Sequence, residues 1–358
     1  MRIKECESWI LRFPCTPDAR DDEDDFVEVI GVNLATDEDL GAMGFTFTDD
    51  GGGGRAIKAL LDDLLLPAIA GIEVEPARAI WPRLWELTHQ LGRGVSTMAI
   101  AAIDIALWDL QARRNGRSLA RELGQLRDRI PAYGSGKASP LHPIPELVRL
   151  TMTFVDEGVN AVKLRVGMDP VEDVHRVAAV REAVGPDVRI MCDANERLDL
   201  ATATWLGHRL ADLDVFWFEE PIARDDVAGY RRLRQTLPMP MACGEHLFAA
   251  NDFVPFVDGG AVDIVQPDAC MVGGITEMLR VGELAAAHGL AFAPHHVTEL
   301  HIHLAAALPT AIYVEYFPML GGLLAHDLDV AGGEVLVPDR PGHGIEVIDS
   351  AWSEFRVA

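Results

Sequence analysis

The sequence predicts an α/β protein built on a closed (β/α)8 barrel, and three observations support this fold class. From residue 129 onward, eight short β-rich runs alternate with helical or loop spacers. Repeated βα units of this size are typical of a parallel sheet, and eight of them suffice to close a barrel. An α+β unit precedes the barrel and a Gly/Pro-rich segment follows it. We therefore predict an α+β domain at 1–125, the barrel at 126–325, and a C-terminal segment at 326–358 that returns to the first domain.

In the first domain, residues 1–50 alternate apolar and polar side chains, as β-strands do, until the Gly-rich run TDDGGGG at 48–54 interrupts the pattern. Two later segments, 55–71 and 96–124, place apolar residues at positions i, i+3 and i+4 and are predicted to be helical.

The eight predicted barrel strands are RIPAYGSG (129), AVKLRVG (161), VRIMCDAN (188), VFWFEEP (215), MPMACGEH (239), DIVQPD (263), LAFAPHH (290) and AIYVEYF (311). An open, doubly wound sheet is the alternative arrangement. The chain lacks the GxGxxG or P-loop motif that would mark a nucleotide crevice in such a sheet, so the barrel is favoured.

Composition narrows the function classes. The 358 residues are 49% hydrophobic and 24% charged, as in soluble globular proteins, and the formal charge is −25. That charge argues against nucleic acid as a partner, and any anionic substrate needs a local positive site. The five cysteines form no CxxC pair, and the sequence shows neither a signal-peptide pattern nor an apolar run that could span a membrane. We expect a cytoplasmic protein with no membrane partner.

Polar residues stand where each predicted barrel strand ends, and this is where the chemistry of such barrels lies. Their lead residues are 20 to 30 positions apart, about one βα unit, so they should converge on one mouth. They are Lys163/Arg165, Asp193/Asn195, Glu219/Glu220, Glu245/His246, Asp268, His295/His296 and Glu315.

Three of these residues are carboxylates that follow consecutive apolar strands: Asp193, Glu219 and Glu245. Buried like charges are costly without a counter-ion. Helix capping or pairing with an arginine would explain one of them. Three carboxylates that recur at the spacing of one βα unit favour a Mg²⁺ site, because Mg²⁺ prefers oxygen ligands.

Asp268 and His295 end neighbouring strands, and a carboxylate beside an imidazole fixes its tautomer and raises its pKa. This pair predicts a general base. The PHH run leaves open whether His295 or His296 faces the site. His301 and His303 follow in a helical stretch and are expected to be packing or surface residues.

In order, the motifs K-x-[KR], D-x-N, EEP, GE, QPD, PH-x3-E and E-Y, with the AIDIALWDL helix upstream, resemble the enolase superfamily, and within it the mandelate racemase subgroup. The resemblance implies a capping domain over a modified (β/α)8 barrel, Mg²⁺ on the three carboxylates, and abstraction of the proton alpha to a carboxylate to give an enediolate. It also implies a catalytic Asp268–His295 dyad, an electrophilic Glu315, a substrate contact from Asn195, and catalytic Lys163 and Arg165. His296 is a second candidate substrate contact.

The segments GFTFTDDGGGG, THQLGRG and PDARDD resemble the cap of sugar-diacid dehydratases and of sugar-acid cycloisomerases. In such enzymes the loop equivalent to 13–25 closes over the substrate. The resemblance makes Arg20, His89 and Arg93 candidates for contacts to the distal end of the substrate, and it implies a homo-oligomer between a dimer and an octamer.

Arg165 stands where the family usually has a second lysine base, and an arginine scarcely loses its proton. Dehydration of an acid sugar to a 2-keto-3-deoxy acid needs one base, with Lys163 as a cation that holds the substrate carboxylate. This lyase reaction is therefore the favoured prediction. The alternatives are a cycloisomerase, a racemase or epimerase that uses Arg165 as a base, and, last, a metal-binding pseudo-enzyme.

Overall fold

The computed structural model describes residues 1–14, 26–49, 52–136 and 140–358. The N-terminal part is an α+β cap. Its antiparallel sheet has the order β1-β2-β3. The strands are β1 (Ile3–Pro14), β2 (Phe26–Thr36) and β3 (Gly41–Thr48). The helices are α1 (Gly54–Leu60), α2 (Leu66–Ile69), α3 (Ala77–Thr88), α4 (Val95–Arg114) and α5 (Leu119–Leu123).

The two helices expected in the cap are present with small differences. A π-helical turn, Leu61–Leu65, joins α1 to α2, so that the first helical segment is continuous. The second predicted helix is divided into α4 and α5. Asn115 and Gly116 separate the two parts, and Gly116 has a φ of +61°, a left-handed conformation that glycine adopts without strain.

Helix α4 packs against the cap strand β3 on one side and against barrel helices on the other. A Cβ added to Gly44 of β3 would lie 2.2 Å from the backbone oxygen of Ala102, so only glycine permits this close approach. Among the described residues, α4 is the one helix long and apolar enough to span a membrane, but 89% of that stretch is buried inside the protein. It is a core helix that is apolar all round because both of its sides are covered.

The barrel begins at residue 129, and all eight predicted strands are present. They are β4 (Arg129–Gly134), β5 (Ala161–Arg165), β6 (Arg189–Asp193), β7 (Val215–Glu219), β8 (Met241–Cys243), β9 (Ile264–Val265), β10 (Ala291–Phe292) and β11 (Val314–Tyr316). They pair in parallel from β4 to β10, and β11 returns to β4. A parallel bridge between Phe292 and Ala311 closes the ring. The predicted barrel architecture is confirmed.

The helices around the barrel are α6 (Ile144–Asp156), α7 (Pro170–Val184), α8 (Leu200–Ala211), α9 (Val227–Thr236), α10 (Ala250–Asp258), α11 (Ala269–Val272), α12 (Ile275–Ala287) and α13 (Thr298–Ala307). Inside the ring, one residue from each strand region forms a separate core. Its members are Tyr133, Ala161, Met191, Trp217, Ala242, Ile264, Ala293 and Tyr313.

The C-terminal segment contains β12 (Val330–Ala331), β13 (Glu334–Leu336) and α14 (Asp349–Phe355). Two parts of it reach the cap. His343 N donates to Asp109 Oδ1 of α4, and near the end of the chain Val357 N donates to Ile10 O. Strand β13 instead pairs antiparallel with β4 of the barrel. The later part of 326–358 therefore contacts the cap, whereas residues 330–336 extend the barrel sheet.

Candidate active site

Lys163 and Arg165 lie on the inner face of the barrel. Ala161, two residues before Lys163, belongs to the barrel interior, whereas Val162 and Leu164 pack outward against the surrounding helices. Residues i and i+2 of a strand share a face, so the register of β5 points both cations at the mouth. Arg165 pairs in register with Asp193 on β6, and Asp193 with Glu219 on β7.

The three carboxylates of the predicted metal site meet at this mouth. Asp193, Glu219 and Glu245 are buried, and each offers an oxygen atom within 4.8 Å of the others. Burial, together with the charges of the neighbouring acids, raises the pKa of Glu219 to about 8 even though Lys163 opposes the shift. The buried Oε2 of Glu245 accepts no hydrogen bond from the described residues. Three clustered oxygen donors, one of them unsatisfied, fit a hard divalent cation such as Mg²⁺.

Lys163 is the central cation of the site. Its Nζ lies 2.7 Å from Glu219 Oε1, 2.9 Å from Glu315 Oε1 and 3.7 Å from Asp193 Oδ2. Burial favours the neutral amine, but these carboxylates outweigh it and raise the pKa of Lys163 well above its ordinary value. Lys163 is therefore a fixed ammonium in the free protein.

Arg165 and Asn195 connect the strand β5 to the carboxylates. Arg165 Nη1 donates to Asn195 Oδ1 at 3.2 Å, and Asn195 Nδ2 donates to Asp193 Oδ2 at 3.1 Å. Asn195 has a φ of +42°, which is uncommon for a non-glycine residue and is typical of functional sites. Burial lowers the pKa of Arg165, but the surrounding acids outweigh it and raise the value, so the guanidinium keeps its charge.

His295 and Asp268 form the expected dyad. His295 Nδ1 lies 3.1 Å from Asp268 Oδ2, and its Nε2 lies 3.3 Å from Glu245 Oε2, beside the carboxylate cluster. Burial lowers the pKa of His295, but Glu245 and Asp268 outweigh it and raise the pKa to about 10. Asp268 also caps α11 by accepting from Cys270 N. His301, expected to be a packing residue, is buried and accepts a hydrogen bond from Ala269 N, which fixes the turn after Asp268.

His296 also lines the pocket but has a different environment. Its ring packs edge-on between Phe47 and Phe317, and neither ring nitrogen has a hydrogen-bond partner among the described residues. Burial, with the nearby His295, lowers the pKa of His296 to about 3, so the ring is neutral. Its backbone N donates to Glu315 Oε2 at 2.8 Å. The contact with Asp268 therefore makes His295 the candidate base. His296 is a neutral ring whose two nitrogens are available for hydrogen bonds to a ligand.

Glu315 accepts a hydrogen bond from His296 N and forms an ion pair with Lys163. Burial acts to raise its pKa, but Lys163 and His295 outweigh this effect and hold the pKa of Glu315 well below its usual range. Its role as the electrophile that the resemblance implies stays a prediction.

A cavity of about 360 Å³, at the low end of the range for small-molecule sites, is lined by six of these groups: Arg165, Asn195, Glu245, His295, His296 and Glu315. The pattern of strand-end residues omitted several members of its lining. Phe47 and Asp49 come from the cap, and Met271, Phe317 and Arg197 come from segments beyond the strand ends. His246 stood in the strand-end series without a role and also lines the cavity.

The candidate distal contacts are not gathered here. Arg20 lies outside the described residues. His89 is exposed at the end of α3 and bonds the backbone oxygen of Glu86. Arg93 is paired with Asp252, on the surface between α4 and α10. Neither His89 nor Arg93 is among the described residues that line the cavity. Their predicted role is corrected because residues 88–94 run along the flank of the cap.

Comparison with known proteins identifies the family. Residues 25–124 match the mandelate racemase/muconate lactonizing enzyme N-terminal domain, and residues 146–351 match the enolase C-terminal domain-like model. The chain belongs to the mandelate racemase/muconate lactonizing enzyme family. The family expected from the motifs, with its cap and barrel, is thereby confirmed.

This family member is 33% identical to the L-talarate/galactarate dehydratase of Salmonella typhimurium, in an alignment that covers 92% of this chain and 83% of that enzyme. It is 34% identical to the 3,6-anhydro-alpha-L-galactonate cycloisomerase of Streptomyces coelicolor, in an alignment that covers 89% of this chain and 88% of that enzyme. Among solved structures, the L-talarate dehydratase of Polaromonas sp. JS666, complexed with Mg and L-glucarate, matches with a TM-score of 0.92 and 32% identity, covering 100% of this chain and 98% of that one.

Proposed function

We propose that this family member is a Mg²⁺-dependent acid-sugar dehydratase, which removes the proton alpha to a carboxylate and expels a beta hydroxyl to leave a 2-keto-3-deoxy acid. The observation that supports the proposal is the position of His295 between Asp268 and the candidate metal ligands. Its Nδ1 contacts Asp268, and its Nε2 lies 3.3 Å from Oε2 of Glu245, one of those ligands. A substrate carboxylate held at those ligands would present its alpha carbon to His295.

Asp193, Glu219 and Glu245 are the residues that would hold the metal. When bound, Mg²⁺ supplies positive charge that stabilises an enediolate's developing negative charge. Lys163 adds a second fixed positive charge at the same place, and preorganised charge of this kind usually contributes more to such catalysis than any other single effect. The cation is held by Glu219 and Glu315, so it needs no reorganisation during the reaction.

His295 is the proposed base. Because Nδ1 donates to Asp268, the lone pair of the neutral ring lies on Nε2, which faces the cavity. Glu245 raises the pKa of His295, and a metal held by Glu245 would offset that charge and favour the neutral ring. The proton taken from the alpha carbon can then be returned from Nε2 to a hydroxyl that leaves on the same face.

The opposite face offers no comparable base among the described residues. Lys163 and Arg165 both have pKa values above their ordinary ones, because carboxylates surround them. A racemase needs a proton acceptor on each face of the substrate. The arrangement therefore supports a one-base elimination.

A cycloisomerase is the second candidate, because the relatives include cycloisomerases at 34% identity. Such an enzyme would use the same enediolate and the same His295 but would conserve mass. We further propose that the protein acts in the cytoplasm on small carboxylates and forms a homo-oligomer, for which the predicted range stays dimer to octamer.

The test is a panel of acid sugars, with one and two carboxylates, incubated with Mg²⁺-loaded protein in D₂O. We expect a semicarbazide-reactive keto acid that has lost one water, and His295→Asn should lower its kcat by about 10³-fold, the usual contribution of a positioned base. A His303→Asn variant is the control for fold, because His303 is a buried histidine of the same helix that bonds Ala120 N and His343 O and does not line the cavity. Absence of keto acid across the panel would refute the dehydratase, and a product that has lost no water would assign the cycloisomerase.

A further inference from the structure

Among the described residues, the cavity lining contains one cation without a partner. Arg165 is hydrogen-bonded to Asn195, and His246 Nδ1 lies 3.2 Å from Glu220 Oε2. Arg197 also lines the cavity, yet its guanidinium has no ion pair or hydrogen bond to any residue in the described ranges. In a chain with a net charge of −25, acids are abundant, so an uncompensated arginine at the active site calls for a ligand.

The backbone holds Arg197 at this position. Arg197 N donates to the oxygen of Ala194 at 3.1 Å, and Leu198 N donates to that of Pro221 at 3.2 Å. The two residues before it, Asn195 and Glu196, have φ values of +42° and +62°, so the turn is tight. Arg197 is thus fixed to the same loop as Asn195, which contacts the candidate metal ligands.

The nearest acid in the sequence does not neutralise Arg197. Glu196 Oε1 lies 2.6 Å from Arg224 Nη1 and 3.5 Å from His246 Nδ1. The two side chains of this turn therefore have different roles. Glu196 links the turn to the next βα loop through Arg224, whereas Arg197 is an exposed residue at the rim of the cavity with an unpaired charge.

We propose that Arg197 binds the second carboxylate of a diacid sugar, at the end of the substrate remote from His295. The inference rests on the proposed function, since it takes the first carboxylate to lie at Lys163 and the three acids. An arginine can bind a carboxylate through two parallel hydrogen bonds, which a terminal hydroxyl cannot match. The site is thereby selective for aldaric acids over aldonic acids.

The experiment compares matched pairs of hexarates and hexonates, such as galactarate and galactonate, which differ only in whether C6 is a carboxylate. Binding is measured by calorimetry on Mg²⁺-loaded His295→Asn protein, so that turnover is not required, and kcat/KM is measured on protein with His295 intact. The variants are Arg197→Ala, Arg197→Gln and Arg197→Lys, each in both backgrounds. Arg232→Ala is the control, because Arg232 is exposed on α9, outside the cavity lining, and equally unpaired among the described residues.

We expect the binding hexarates to lose about tenfold in affinity in Arg197→Ala and Arg197→Gln, while hexonate affinity changes less than twofold and Arg197→Lys retains part of the preference. Added NaCl should weaken hexarate binding more in the Arg197 protein than in the Ala variant. Equal losses for both acids, unchanged hexarate affinity, or a panel in which no hexarate binds would each overturn the inference. The proposed function fails separately, if protein with intact His295 and Arg197 neither exchanges deuterium at C2 nor forms keto acid.

Discussion

Two groups of buried carboxylates in this molecule have different surroundings. At the barrel mouth, Asp193 and Glu219 share Lys163 with Glu315, and Glu245 Oε2 accepts no hydrogen bond from the described part of the chain. The cap–barrel seam, which we define by Asp104 and Asp109 on α4 and their partners, is different because each acid is matched to donors.

At the seam, Asp104 accepts from Thr276 N at 2.9 Å and from Thr276 Oγ1 at 2.6 Å. Asp109 accepts from Met43 N, Arg113 Nε and His343 N, at 2.8 to 3.1 Å. Buried carboxylates whose hydrogen bonds are all formed within the protein connect parts of the fold, whereas clustered carboxylates that lack such bonds are candidates for binding a ligand. The comparison predicts opposite effects for the same kind of substitution in the two places.

The largest effect is expected for Glu245→Gln at the mouth. The loss of a carboxylate ligand should lower Mg²⁺ affinity at least about 100-fold, while the metal-free protein loses only the ion pair between Glu245 and His295. Thermal unfolding with and without Mg²⁺ measures both quantities. A destabilised protein whose melting temperature still rises normally with Mg²⁺ would show that Glu245 is structural.

At the seam, Asp109→Asn should do the reverse. The substitution removes the ion pair with Arg113 and places an amide NH₂ opposite one of the backbone N–H groups that Asp109 accepts from. We therefore expect a loss of about 2 kcal/mol in the free energy of unfolding. Urea titration measures the loss. The Mg²⁺-induced rise in melting temperature should persist, and its disappearance would break the distinction between mouth and seam.

A smaller effect is expected for Trp217→Phe. The indole Nε1 of this buried residue donates to Glu219 Oε2 at 3.0 Å, which makes it a positioning residue for a candidate metal ligand. Loss of such a supporting hydrogen bond typically weakens metal binding by about tenfold or more. Calorimetric Mg²⁺ titration is the measurement. Phe216→Leu, in the neighbouring position of β7 and half-buried, controls for packing, and equal Mg²⁺ affinity in all three proteins would refute the role.

The smallest effect is a change in pH dependence at the seam. Burial, aided by the charge of Glu277, raises the pKa of Asp104 to about 7 against hydrogen bonds from Thr276. Because the folded state then holds the proton more tightly than the unfolded state, this group stabilises the fold below about pH 4, and the contribution is lost as pH rises toward 7.

Asp104→Asn should therefore flatten the decline in stability between pH 4 and pH 7, relative to the unmodified protein, as measured by urea midpoints at each pH. Asp339→Asn, at an exposed acid paired with Arg121, is the control and should leave the slope unchanged. Identical slopes for the Asp104 variant and the unmodified protein would contradict the shifted pKa.

Much of the barrel could be predicted from the sequence, because strand patterns are local. The period of two in AVKLRVG fixes Lys163 and Arg165 on one face, and the spacing of one βα unit brings Asp193, Glu219 and Glu245 together. Asp268 and His295 follow from the same rule. These predictions need only the fold class and the register of each strand.

Other parts depend on contacts between distant segments and could not be predicted in this way. PHH contains two equivalent-looking rings, and only the packing of Phe47 and Phe317 around His296 separates it from His295. His89 and Arg93 matched a motif but lie on the flank of the cap. Arg197 follows Asn195 by two residues, but no periodicity or spacing distinguishes it from other loop arginines.

Periodicity and spacing along the chain are enough to predict the barrel, the candidate metal ligands Asp193, Glu219 and Glu245, and the pairing of Asp268 with His295. Tertiary structure alone decided which ring faces the substrate, which cation of the described cavity lining has no partner, and where the cap closes on the mouth. These depend on side chains that meet across the fold, and their packing and charge balance have no signature in any one stretch of sequence.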